Sequence, residues 1–134
     1  MTMQARESAF ANDLVVVVLD DSGPRPWMRL AAPLVYWSAH LGYTIQVPAG
    51  FEFDGASIPQ AAMSMTGWPG LRAACIHDWL VDQPQIPRYD ADAVFREALA
   101  VCGVPDQVAA LMWAAVALRT ARLANYSDEE RPGA

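Results

Sequence analysis

The sequence predicts an α+β fold, in which an N-terminal antiparallel β-sheet of three to four short strands is followed by three main α-helices. β-branched and aromatic runs separated by turn residues fill residues 13–59, whereas the apolar spacing after Pro59 is helical. With 134 residues, 54% of them hydrophobic and 18% charged, the chain is long enough for one core. We therefore predict a single domain over residues 1–134, with about 12 N-terminal and about 8 C-terminal residues flexible.

The predicted strands lie in three segments. The run "DLVVVVLDD" closes at a Ser-Gly-Pro turn, and the runs "WMRLAAPLVYWS" and "YTIQVPAGFEF" follow it on either side of a turn near residues 40–42. A short, poorly defined segment at 60–65 and a Gly-Trp-Pro-Gly loop at 67–70 then lead into the helical part of the chain.

The helices follow from the apolar spacing and from the residues that stop or cap it. The first spans about residues 71–82 and ends at the proline-containing stretch 84–87. The second runs to residue 101 with Asp90 as its N-cap, and the third spans about residues 105–125. The third is apolar on most of its circumference, so we expect it to be buried on several sides, within the chain or in an assembly.

Charge and composition exclude several classes of protein. The net charge is −6, and the nine basic residues are scattered, which argues against nucleic acid as a partner. The apolar run Leu14–Leu19 is too short for a transmembrane segment and lacks the flanks of a secretory signal, so synthesis and retention in the cytoplasm are expected. Cys75 and Cys102 lack metal-site spacing and are expected to be buried thiols without a disulfide.

A histidine and an aspartate are predicted to face each other across the first two helices. Helical spacing places His77 on the apolar face of the first helix and Asp92 on that of the second. Antiparallel packing gives the two an axial offset on the order of 5 Å. A carboxylate on one ring nitrogen would orient His77 as a general base. The same pair could instead be an architectural buried polar pair, and both interpretations stay open at this stage.

The loop "VPAGFEFDGASIP" contributes a second group of candidates where the sheet meets the helices. Asp54 either caps the following turn or supplies a carboxylate to a site. Gly55 supports the tight loop geometry. Ser57 is a candidate nucleophile beside His77, although it lacks the Gly-x-Ser-x-Gly setting of a nucleophile elbow.

Two charged residues complete the candidate site. Asp78 lies on the helical stripe next to that of His77, where it is either solvated or close to a cation. Arg88, just before the second helix, either forms an ion pair with Asp82 or Asp92 or binds an anion.

Three segments in this order, "VPAGFEFDGASIP", "ACIHDWL" and "RYDADAVF", closely resemble a phage- and prophage-associated family known mainly as a domain of unknown function. Its members share Pro-x-Gly-Phe-x-x-Asp-Gly-Ala-Ser-x-Pro, His-Asp-x-Leu and Arg-x-x-Ala-Asp-x-x-Phe segments. The match covers most of residues 34–120. The resemblance implies a tailed-phage or prophage origin and does not define an activity.

The chain also resembles, more weakly, the catalytic helices of phospholipase A-two enzymes. That resemblance implies that His77 activates water, that Asp78 helps to hold calcium and that Asp92 orients the histidine. Asp54 and the loop residues 55–57 would then supply further cation ligands or oxyanion donors. The disulfide framework of the secreted members and a clear glycine-rich calcium loop are missing from this sequence.

Two functional hypotheses follow. The first is a virion-associated or lysis-related phage hydrolase that acts on an envelope ester or amide and uses a divalent cation, calcium rather than zinc. The second is a non-catalytic tail or head-tail component, or an assembly factor, in which the His-Asp pair is architectural. Expected partners are other virion proteins or bacterial envelope components, in an oligomer or assembly. Both hypotheses place synthesis in the cytoplasm of the bacterial host, with the virion as a further location.

Overall fold

A computed structural model describes residues 5–55 and 69–129, with the side chains of residue 69 and of residues 124–129 left aside. The predicted segment at 60–65 and the candidate Ser57 lie outside these ranges. The described residues form an N-terminal β part followed by three helices, which confirms the α+β class. The strands are β1 (Ala9–Phe10), β2 (Val16–Asp20), β3 (Trp27–Leu30), β4 (Leu34–Ser38), β5 (Tyr43–Val47) and β6 (Glu52–Phe53). The helices are α1 (Pro69–Val81), α2 (Arg88–Val101) and α3 (Asp106–Glu129).

The strands form two antiparallel three-stranded sheets, with the orders β1-β4-β5 and β2-β3-β6. The described part of the chain therefore contains six strands, more than the three to four expected. Residues 31–33 divide one predicted run into β3 and β4, which enter different sheets. β1 lies inside the N-terminal segment expected to be flexible, and it pairs with β4 through Ala9–Trp37 and Phe10–Tyr36.

Each helix buries one face against the others, and α2 packs against both α1 and α3. The buried face of α2 includes Asp92, Phe95 and Leu99, as its spacing predicts. The buried positions of α3 fall on one stripe at helical spacing: Ala109, Met112, Val116 and Thr120. Leu111 and Leu118 on its other face are 70% and 52% exposed, so within the described residues α3 is buried on one side rather than several.

Two helix starts differ from the sequence-based expectation. Pro69 and Gly70, predicted to be loop residues, begin α1, because the fixed φ of proline suits a first helical turn. The prediction that Asp90 is the N-cap of α2 is wrong, since that position is Pro87, which forms no side-chain cap hydrogen bond. The Asp90 carboxylate lies in the first turn instead, where it contacts Nε2 of His40 at 3.0 Å. A carboxylate there also interacts favourably with the helix dipole.

Glu97 attaches the first sheet to α2. Its Oε1 accepts a hydrogen bond of 2.7 Å from the hydroxyl of the fully buried Tyr36, and its Oε2 accepts one of 2.8 Å from the His40 backbone N–H. Burial, together with this hydrogen bond to a carboxylate, raises the pKa of the Tyr36 phenol. One carboxylate thus fixes both β4 and the turn after it on the helix.

Replacing Tyr36 by phenylalanine tests this attachment. The ring still fills the core, but the buried face loses a hydrogen bond to a charged group. We expect Tyr36→Phe to lower the free energy of unfolding by about 1.5–3 kcal/mol in urea titrations. Tyr43→Phe on β5, where the side chain is exposed, is the matched control and should change it by less than about 0.5 kcal/mol. Equal effects of the two variants would contradict the role given to Glu97.

Candidate functional site

A buried hydrogen-bonded chain joins the three helices. Nε2 of His77 on α1 lies 2.7 Å from Oδ1 of Asp92 on α2, and Oγ1 of Thr120 on α3 donates to Asp92 Oδ2 at 2.6 Å. The side chains of His77 and Asp92 are only 7% and 3% exposed. The His77 ring also packs on Phe95, with ring centroids 5.0 Å apart. The two residues predicted to face each other do so, across the packed helices α1 and α2.

The environment keeps Asp92 ionised. Burial acts to raise its pKa, but hydrogen bonds from His77 and Thr120 and electrostatic interactions with His77 and Arg88 outweigh burial and hold the pKa below its ordinary value of 3.8. An ionised Asp92 accepts a hydrogen bond from Nε2–H of His77, and this hydrogen bond fixes the tautomer of the ring. Because the folded-state pKa is lowered, this stabilisation is present above pH 3.8 and is lost as the pH falls through the folded-state pKa.

A cavity of about 220 Å³ opens beside His77. Three parts of the chain line it. The sheet side provides Trp27, Phe51, Glu52, Phe53 and Asp54. The first helix and the residue after it provide His77, Asp78, Val81 and Asp82. The other two helices provide Arg88, Val116, Arg119 and Thr120. His77 is thus one of the residues that line a partly open cavity, and Asp92 is not.

The structure brings most of the predicted site residues together. Asp54, Asp78 and Arg88 line the same cavity as His77, and Asp92 bonds to the ring. Asp54 and Asp78 each interact with another group as well. Among the described residues, Arg88 forms no ion pair with Asp82 or Asp92, although its charge contributes to the lowered pKa of Asp92.

Gly55 has a structural role beside the cavity. Its φ of +71° belongs to the left-handed region that favours glycine, and an added Cβ would lie 3.1 Å from Cδ1 of Leu71. Its carbonyl accepts a hydrogen bond of 2.8 Å from Nη1 of Arg25. Gly55 thus holds a backbone conformation that favours glycine directly after Asp54.

The described residues do not contain a ready-made metal centre. They bring together no group of three or more histidine, cysteine, aspartate or glutamate side chains able to hold an ion. Asp54 and Asp78 share the cavity, but calcium takes six to eight oxygen ligands. Two carboxylates supply only part of such a ligand set, so the calcium site stays a prediction, and no chemical step is assigned to a cation.

Thr120 and Arg119 were missed by the sequence analysis. Thr120 continues the buried stripe of Met112 and Val116, and a polar residue on that apolar stripe was the one sequence feature that could have indicated a buried hydrogen bond. Its partner Asp92 lies 28 residues earlier in the chain, and no local pattern connects the two. Trp27 was also not assigned to the site; its Nε1 donates to Glu52 at 2.8 Å on the cavity wall.

These features define a small α+β protein with a buried His-Asp-Thr chain beside a cavity. A family model described as "Protein of unknown function (DUF1353)" matches residues 28–116, more than half of the chain, and the chain belongs to this family. The matched residues include His77 and Asp92 and end before Thr120. No helix in the described ranges is long and apolar enough to cross a membrane.

A curated relative of this chain is the uncharacterized protein y4jT of Sinorhizobium fredii (strain NBRC 101917 / NGR234). The alignment has 34% identity over 101 residues and covers 72% of this chain and 30% of that protein. The chain therefore spans less than a third of that relative's length. No solved structure gives a significant match to the chain.

Removing the Thr120 hydroxyl tests the hydrogen-bonded chain. Thr120→Val keeps the side-chain shape but takes one donor from the buried Asp92 carboxylate, so we expect the free energy of unfolding to fall by about 1.5–3 kcal/mol in urea titrations. Thr44→Val on β5, where the side chain is exposed, is the matched control and should change it by less than about 0.5 kcal/mol. No difference between the two variants would mean that Thr120 does not support Asp92.

Proposed function

We propose that this protein is a hydrolase of an ester or amide in the bacterial envelope, with His77 as general base and Asp92 as its orienting partner. The observation that carries the proposal is the position of the imidazole, which is bonded to a buried carboxylate and also lines a cavity. A histidine that only satisfied a core carboxylate would not need access to such a space. A carboxylate on one ring nitrogen and a cavity at the ring are what general-base catalysis requires.

The proposed reaction begins with a water molecule between the imidazole and a substrate carbonyl. Because Nε2 is bonded to Asp92, Nδ1 of His77 takes the proton as the water oxygen attacks the carbonyl carbon. Asp92 stabilises the resulting imidazolium and is itself held by Thr120. The tetrahedral intermediate then collapses, the bond to the leaving oxygen or nitrogen breaks, and His77 returns its proton to that atom.

The biological setting is a further part of the proposal. Three segments in the order of a phage- and prophage-associated family support a tailed-phage or prophage origin. We propose synthesis in the cytoplasm of the bacterial host, followed by action during lysis or from the virion. We also propose Asp54 and Asp78 as two of the ligands of a calcium ion, rather than of zinc, because both carboxylates line the cavity. Calorimetric titration of Asp78→Asn against the wild type tests that assignment.

A second candidate is a non-catalytic tail, head-tail or assembly component. Exposed apolar side chains favour it, since Val15, Val17 and Val18 around β2 are 41–50% exposed and Leu111 on α3 is 70% exposed. Such surfaces are typical of contacts between proteins. Under this alternative the His77–Asp92 pair only holds helices together, and particles should co-purify with the protein whether or not His77 is present.

The chain supplies its own control for the catalytic test, because a second pair, His40 and Asp90, lies on the surface with both side chains 41% exposed. Against fluorogenic esters, phospholipid vesicles and peptidoglycan, we expect His77→Gln to lower kcat/KM by about 10²–10⁴-fold. His40→Gln should retain kcat/KM within about twofold, since it lies outside the cavity lining. An active preparation that is equally active after His77→Gln would disprove the assignment. Absence of hydrolysis by folded wild type would favour the structural alternative.

A further inference from the structure

Two arginines line the His77 cavity without a partner in the described parts of the chain. Arg88 begins α2 and Arg119 lies on α3, and neither forms an ion pair or a side-chain hydrogen bond with a described residue. Arg119 directly precedes Thr120, so its backbone is held next to the donor that bonds to Asp92. The charge of Arg88 helps to lower the pKa of the buried Asp92 carboxylate. Both guanidinium groups therefore belong to the surroundings of the catalytic pair.

Four acidic residues at the same site are already engaged, and a fifth, Asp82, also lines the cavity. Glu52 accepts a hydrogen bond from the indole N–H of Trp27, and Asp92 accepts hydrogen bonds from His77 and Thr120. Asp54 and Asp78 each interact with another group. The arginines come from α2 and α3, whereas the acidic residues of the cavity lining come from the sheet side, from α1 and from the residue after α1: Glu52, Asp54, Asp78 and Asp82. The charge of the cavity lining is thus divided between its parts, with the arginines on the side of the two later helices.

We propose that Arg88 and Arg119 bind an anionic group of the ligand, a phosphate or a carboxylate, at the cavity beside His77. Guanidinium groups bind either anion through two parallel hydrogen bonds. The aromatic side chains of Trp27, Phe51 and Phe53 on the sheet side provide an apolar surface for the rest of the ligand. This inference rests on the proposed function, whose substrate it defines as an ester or amide that carries an anionic group near the scissile bond.

Binding of small aromatic anions tests the inference without requiring turnover. Phenyl phosphate, benzoate and the neutral benzyl alcohol are titrated by calorimetry at constant ionic strength. We expect both anions to bind the wild type more tightly than the alcohol does. Arg88→Gln and Arg119→Gln should each weaken anion binding about tenfold or more, because each removes a charge-assisted hydrogen bond. A difference between phenyl phosphate and benzoate identifies which anion the site prefers.

Arg122→Gln is the matched control, since Arg122 is exposed on α3 one turn from Arg119 and lies outside the cavity lining. It should leave anion binding within about twofold. All three arginines are partly or fully exposed, so the melting temperatures should stay near that of the wild type. An equal loss of anion affinity in all three variants would mean that only the overall charge of the protein matters, which would overturn the inference. Absence of anion binding to the wild type would also overturn it.

The inference and the proposed function fail separately. Arginine-dependent anion binding without any hydrolysis would support the anion site and count against the enzyme. Hydrolysis that needs His77 but is unchanged by Arg88→Gln and Arg119→Gln, for neutral and anionic esters alike, would support the enzyme and overturn the anion site.

Discussion

The helical half of the structure depends on one buried carboxylate. Asp92 accepts hydrogen bonds from His77 and from Thr120, so a single side chain connects α1, α2 and α3. Removing a charge from water costs several kcal/mol unless partners replace the lost hydration, and here two donors and a nearby guanidinium provide that compensation. The orientation of the imidazole then follows from the carboxylate rather than from the packing of apolar residues alone.

Stability alone gives little reason to keep such a pair. A buried ion pair contributes about as much as well-packed apolar residues of the same volume, and often less. Glu97 shows that this chain also uses carboxylates for purely structural attachment, where Tyr36 and the β4–β5 turn meet α2 without lining the His77 cavity. Asp92 differs from Glu97 in its partner, because Asp92 bonds to His77 and His77 lines that cavity. The same hydrogen-bonded chain therefore joins the helices and, in the proposed function, orients the general base.

The sequence was sufficient to predict the His77–Asp92 contact, because helical spacing places each residue on an apolar face and a short connection makes the two helices antiparallel neighbours. It was not sufficient where the partner is distant in the chain. Asp90 had the composition of an N-cap, but it contacts His40, which is 50 residues away. Thr120 likewise gains its role only when α3 packs on α2. Distant pairing also separates β3 from β4, which are consecutive in the chain but enter different sheets.

The most direct test of the account is the protonation state of the His77 ring in solution. The chain contains two histidines, so long-range proton–nitrogen spectra of histidine-labelled protein resolve His77 from the exposed His40. We expect the neutral His77 ring to carry its proton on Nε2, with a downfield, slowly exchanging signal that Asp92→Asn weakens. An Nε2 without a proton, or one that exchanges with water as fast as His40 does, would contradict the hydrogen-bonded chain on which the site depends.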